Sequence, residues 1–264
     1  MTDPARTQEG WPVRHGATGW AGRPAFVPAG VLVALALAAG PAPAQSRFAL
    51  PASCEAYVTV HKADCTMSHL FICAGDPQGH QRRVDLNETG LIYMGVIDAE
   101  TRWIESFHAS TGQTVRLVPG AADPASLTDL IATGRDTMDF ETLSDMFGIT
   151  RYTGEDRLTG ETVVIDGVEL QRTEFTMTVQ DAAGQTAWQV RGREFIHPGW
   201  RTFLSGTRTY VTDEGDVTED ATPVEFIFPG EPGFLGTSPR HGCDMMMSQT
   251  GQAGPLPATL RERS

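Results

Sequence analysis

The chain has 264 residues, of which 40% are apolar, and a formal net charge of −13 at pH 7. That is enough apolar material for one sizeable core. So acidic a surface repels nucleic acid and anionic membrane surfaces, and therefore argues against nucleic-acid partners.

Residues 1–44 read as an export signal. An apolar run from Val27 to Gly40 follows Arg14 and Arg23 and precedes Ala42-Pro43-Ala44, a small-residue site that predicts cleavage after Ala44. The run holds Pro28 and stops at Pro41, short of the roughly 20 apolar residues a spanning helix needs. The mature protein is thus expected in the periplasm or secreted, and not integral to a membrane. Residues 45–243 are expected to form a single β-rich domain and residues 244–264 a flexible tail.

Export alters the meaning of the four cysteines, Cys54, Cys65, Cys73 and Cys243, since an even number in an oxidising compartment reads as disulfides. Cys65, His69 and Cys73 are spaced i, i+4, i+8 and on a helix would share a metal-binding face. The segment is instead strand-like, closed by the turn Asp76-Pro77-Gln78-Gly79, and there neighbouring members lie roughly 13 Å apart. An extended segment also forbids a Cys65–Cys73 bond. A hairpin turning at Lys62 to Cys65 would set Cys54 opposite Cys73, pairing Cys65 with Cys243; Cys54–Cys65 with Cys73–Cys243 is the other arrangement left. No metal or cofactor is expected.

Further along, Leu91–Asp98, Arg102–Ala109 and Thr114–Pro119 are short strand-like runs separated by Asn87-Glu88-Thr89-Gly90, Ala99-Glu100-Thr101 and Ser110-Thr111-Gly112-Gln113. They predict an antiparallel meander. One helix is predicted near Asp123–Gly134, with Asp123 as cap, Leu127, Leu130 and Ile131 as apolar stripe, and Gly134 as stop. Strict alternation returns in Thr173–Val179 and Thr186–Gly192, and two more strands flank Pro198-Gly199. The acidic runs Asp98–Glu100, Thr153–Asp156 and Thr212–Asp220 read as solvated hairpin turns. Met245–Met247 offers thioethers, but reads as an apolar cap rather than a copper site. The fold class expected is mainly β, a curved antiparallel meander sheet (half-barrel or open barrel) packed over one short helix and stapled by disulfides.

Motifs for nucleophilic, zinc, phosphate or haem chemistry are absent from the sequence, and no catalytic residues are assigned. A carboxylate paired with a histidine, Glu105 or Glu194 with His108 or His197, is the one enzymatic arrangement the spacing suggests. Large apolar side chains on one face of the strands are more informative. Phe175, Met177, Trp188, Phe195, Phe203, Tyr210 and Phe226 are expected to form a concave ligand-binding face.

The segments SLTDLIATGRDTMDFET, LTGETVVIDGVEL, WRTFLSGT and PGEPGF resemble a group of uncharacterised exported alphaproteobacterial proteins, a resemblance that implies a location and no activity. The expected architecture is loosely similar to periplasmic lipoprotein-carrier half-barrels of the LolA/LolB type. Taken together, the expectation is a non-enzymatic binding or chaperone-like protein holding a lipid or other apolar ligand. The alternatives are an envelope assembly protein, with a filled core and an acidic surface for an envelope partner, and an enzyme with an unrecognised histidine and carboxylate.

Overall fold

The computed structural model describes residues 48–212 and 214–243; the expected export signal, its expected cleavage site and the methionine run lie outside them. The described residues build β1 (Cys54–Lys62), β2 (Met67–Cys73), β3 (Gln81–Asn87), β4 (Gly90–Ile97), β5 (Trp103–His108) and β6 (Gln113–Leu117). After α1 (Leu127–Thr133) come β7 (Arg135–Ser144), β8 (Gly148–Ile165), β9 (Val168–Gln180), β10 (Thr186–His197), β11 (Thr202–Val211), β12 (Val217–Asp220) and β13 (Pro223–Ile227). Every strand pair is antiparallel, and β1 to β12 follow one another in chain order, with β13 returning beside β1.

The two outer strands of this 13-stranded sheet are consecutive in sequence. Between them Ala221 N–H donates to Gly206 O of β11, and Thr222 O accepts from Ala63 N–H just past β1. The linker therefore brings the two edges side by side without a hydrogen-bonded ladder to close a barrel.

Curvature comes from glycine and from irregular pairing. A Cβ on Gly192 would fall 2.1 Å from Thr207 O, and one on Gly154 would fall 2.3 Å from Thr176 O. Only glycine lets the neighbouring backbone come this close. Register shifts between Arg193 and Phe195, and between Leu158 and Thr162, add local bend and twist. The β8–β9 hairpin turns on Asp166-Gly167, both with positive φ, the chemistry of a two-residue hairpin loop.

Helix α1 begins one turn later than its sequence signals suggest. Ser126, not Asp123, is the cap, its Oγ accepting from Asp129 N–H at 3.1 Å. Asp123 is held elsewhere, exchanging backbone hydrogen bonds with Asp139. Gly134 ends the helix in the left-handed conformation, as expected. Leu127 and Leu130 pack on Ile196 with Leu158 and Phe203, whereas Ile131 is exposed. The adjacent Phe195 belongs to a different core, with Val58, Val60, Leu70, Leu170 and Phe226.

Both disulfides form, Cys54–Cys73 and Cys65–Cys243. Cys54 and Cys73 are direct cross-strand partners in the β1–β2 hairpin. The C-terminal stretch then covers the outer face of β1 to β3, where Phe234 and Leu235 pack against Ala56, Phe71 and Val84. His69 serves this cover. Its Nε2–H donates to Gly236 O at 3.0 Å, while its Nδ1 accepts from Thr59 Oγ1 at 2.9 Å, so neither nitrogen is left for a metal.

Candidate functional site

Inside the curved sheet lies a cavity of about 720 Å³, within the size range of small-molecule sites, ~300–1,000 Å³. Part of its wall is apolar. Met138, Phe140, Tyr152 and Val179 form a cluster with Met177 and Trp188 packed against it, and Trp103 meets the Phe140 and Tyr152 rings edge-on, each at 5.5 Å between centroids. Strand alternation explains this wall: Phe175, Met177 and Val179 share one side of β9, and Trp188 and Val190 share the facing side of β10.

The remaining wall is charged. Lys62, Arg83, Asp85, Asp156, Glu194, Arg208 and Glu219 all line the same cavity. Lys62 is the only lysine in the chain, and just 5% of it is exposed. Asp85 accepts from Ser68 Oγ at 2.7 Å and faces Lys62 Nζ at 3.6 Å and Arg83 Nε at 3.3 Å. Arg208 Nη2 lies 3.7 Å from Glu194 Oε1, and the Arg83 guanidinium sits 4.9 Å over the Tyr93 ring.

These surroundings pull the ionisations apart. Burial works against the charged form of Asp85, but Arg83 and Lys62 outweigh it and hold that carboxyl below its usual range. Burial raises Glu194 and Glu219, the pull of Arg208 notwithstanding. Asp156, buried and facing Glu194, Asp136 and Glu155, is pushed up to about 8. Lys62 is lowered by burial, against the attraction of Asp85.

Of the seven side chains expected on a concave binding face, the structure brings five together. Phe175, Met177, Trp188, Phe203 and Tyr210 line the cavity. Phe195 and Phe226 do not; contrary to expectation they lie in the packed core around Val58 and Leu170, Phe195 falling on the opposite face of β10 from the cavity-lining Glu194. The histidine and carboxylate candidates are scattered. Glu105 pairs with Arg116 at 2.8 Å and is exposed, and His197 stacks on Trp200 at 3.8 Å, its Nδ1 accepting from Trp200 N–H. His108 and Glu194 both line the cavity.

The charged wall was not foreseen from the sequence. Thr153–Asp156, read there as a turn, lies inside β8, which is how Asp156 comes to face the interior. The usable signal was alternation: Arg83 and Asp85 on β3, like Arg208 and Tyr210 on β11, occupy the inward phase of their strands. Charge at inward positions is too uncommon to be expected without the fold in view.

Among the described residues no helix is long and apolar enough to cross a membrane. No protein-family model, curated protein or solved structure matches the chain.

Proposed function

We propose that this protein is an exported, periplasmic carrier that holds a largely apolar ligand in the sheet-lined cavity, in the manner of a binding or chaperone-like protein. One observation carries the reading: a cavity of about 720 Å³ whose wall includes Phe175, Met177, Trp188, Phe203 and Tyr210. Side chains of this size at a β-sheet interior would fill a core completely if the fold served structure alone. The open volume favours a ligand over a filled core serving only envelope assembly.

The test is native mass spectrometry of the full chain expressed with export, followed by denaturation of the same sample. A chain beginning at Gln45, four protons lighter than its reduced mass, with a bound lipid lost on denaturation, supports the carrier. Val115 lines the cavity and is half-buried, so Val115→Trp should occupy ligand volume. The variant is expected to retain the oxidised fold and lose at least about tenfold in ligand affinity. Wild-type protein that binds no amphiphile under any condition refutes the reading.

A further inference from the structure

Three cations of the cavity wall, Lys62, Arg83 and Arg208, are paired more loosely than most other arginines among the described residues. Away from the cavity, Arg116 bonds Glu105 at 2.8 Å, Arg172 bonds Glu161 at 2.7 Å and Arg191 bonds Asp216 at 2.6 Å, and at its lining Arg82 and Arg102 bond Asp76 and Asp98, each at 2.6 Å. For three other lining cations the nearest carboxylate oxygens are farther, at 3.6 Å from Lys62, 3.3 Å from Arg83 and 3.7 Å from Arg208. Arg83 Nε, though buried, makes no hydrogen bond, and neither does the indole Nε1 of Trp188 in the same wall. Leaving a buried N–H donor without a partner is costly. Yet 34% of the Arg83 side chain and 31% of the Arg208 side chain remain accessible, and both residues line the cavity.

Three strands deliver these cations to one place. Lys62 ends β1, Arg83 is in β3 and Arg208 in β11, and Lys62 and Arg83 each sense the charge of Arg208. Such like charges are brought together at a cost that two carboxylates, Asp85 and Glu194, only loosely offset. Of the other carboxylates lining the cavity, Asp156 is pushed up to about 8 and Glu219 is raised by burial, while Asp64 acts on Lys62 beside Asp85. Trp188 meets Tyr210 edge-on at 5.9 Å, and Tyr210 is two residues from Arg208 on the same inward face, so the apolar wall runs directly into the cationic one.

We infer that the cavity takes an amphiphile by its anionic head, a carboxylate or phosphate seated between Arg83, Arg208 and Lys62, with its chain along Trp188, Met177 and Phe140. This rests on the carrier reading above and adds the head-group chemistry to it. Planar, forked guanidinium groups suit two-oxygen anions. The acidic exterior does not oppose this, because charges outside are screened within about 10 Å while those in the cavity are not.

Calorimetric titration of the wild-type full chain with four twelve-carbon ligands below their micelle concentrations separates the alternatives: dodecanoate, dodecyl phosphate, dodecanol and dodecyltrimethylammonium. The expected order has one or both anions at least about tenfold tighter than dodecanol, with the cation weakest. Which anion is tighter tells a fatty acid from a phosphate ester. Arg83→Gln and Arg208→Gln are each expected to bring the preferred anion down to the affinity of dodecanol. Dodecanol binding as tightly as the tighter of the two anions overturns the head-group assignment while leaving the carrier intact. Binding of none of the four overturns both. The wild-type series decides the matter even if a variant fails to fold.

Discussion

His61 shows how a single side chain sets a pH limit. It is 1% exposed, and neither ring nitrogen has a hydrogen-bond partner. Burial lowers its pKa from 6.5 to about 4; nearby Glu225 works against that shift, and Arg240, His241 and His69 reinforce it. Above pH 6.5 the ring is neutral in folded and unfolded chains alike, and stability is unaffected. As pH falls from 6.5 to about 4 the unfolded chain gains a proton that the folded one refuses, so stability drops. At 1.36 kcal/mol per unit, the full loss is about 3 kcal/mol. Urea midpoints measured from pH 7.5 to 4 should fall across this window, and His61→Leu should flatten the decline. A wild-type midpoint constant from pH 6.5 to 4.5 would contradict the assignment.

At the scale of elements, mid-strand glycines permit the bend that makes room for the cavity. Gly192 of β10 lies against the backbone of β11, with Thr207 O and Arg208 Cα at 2.1 and 3.0 Å from where a Cβ would sit. Backbone cannot swing aside as a side-chain tip can, so Gly192→Ala must push β10 and β11 apart. The expected cost is about 1–3 kcal/mol, the usual range for overpacking, read as a lower urea midpoint. Gly75→Ala, where an added Cβ meets nothing within 4 Å, serves as the control and should change stability little.

For the whole molecule, the Cys65–Cys243 bridge joins the β1–β2 turn to the segment that covers the outer face of the first strands. It spans 178 residues, against 19 for Cys54–Cys73. In the chain-entropy picture the longer loop stabilises by about 2 kcal/mol more than the shorter one. Replacing Cys65 and Cys243 together by serine should therefore lower Tm further than replacing Cys54 and Cys73. Equal losses would mean that native-state contacts, not loop closure, govern both bridges.

How much of this was legible in the sequence follows from the range of the interactions involved. Alternation in Thr173–Val179 and Thr186–Gly192, turn residues at regular spacing, a helix stop at Gly134 and four cysteines are local signals, and they determined a disulfide-stapled antiparallel meander with one helix. The pairing of the cysteines was half legible, since hairpin register placed Cys54 opposite Cys73 while the alternative stayed open. Only tertiary structure decided which face of each strand looks into the cavity. Phe195, next to the cavity-lining Glu194, falls on the other face of β10 and joins Phe226 of β13 in a packed core, while Trp188 and Tyr210 stay on the cavity wall. It also decided that Lys62, Arg83 and Arg208, up to 146 positions apart in numbering, should meet in one interior. A charge on a strand reads locally as solvent-facing, and only the curving of the sheet around it turns that charge inward.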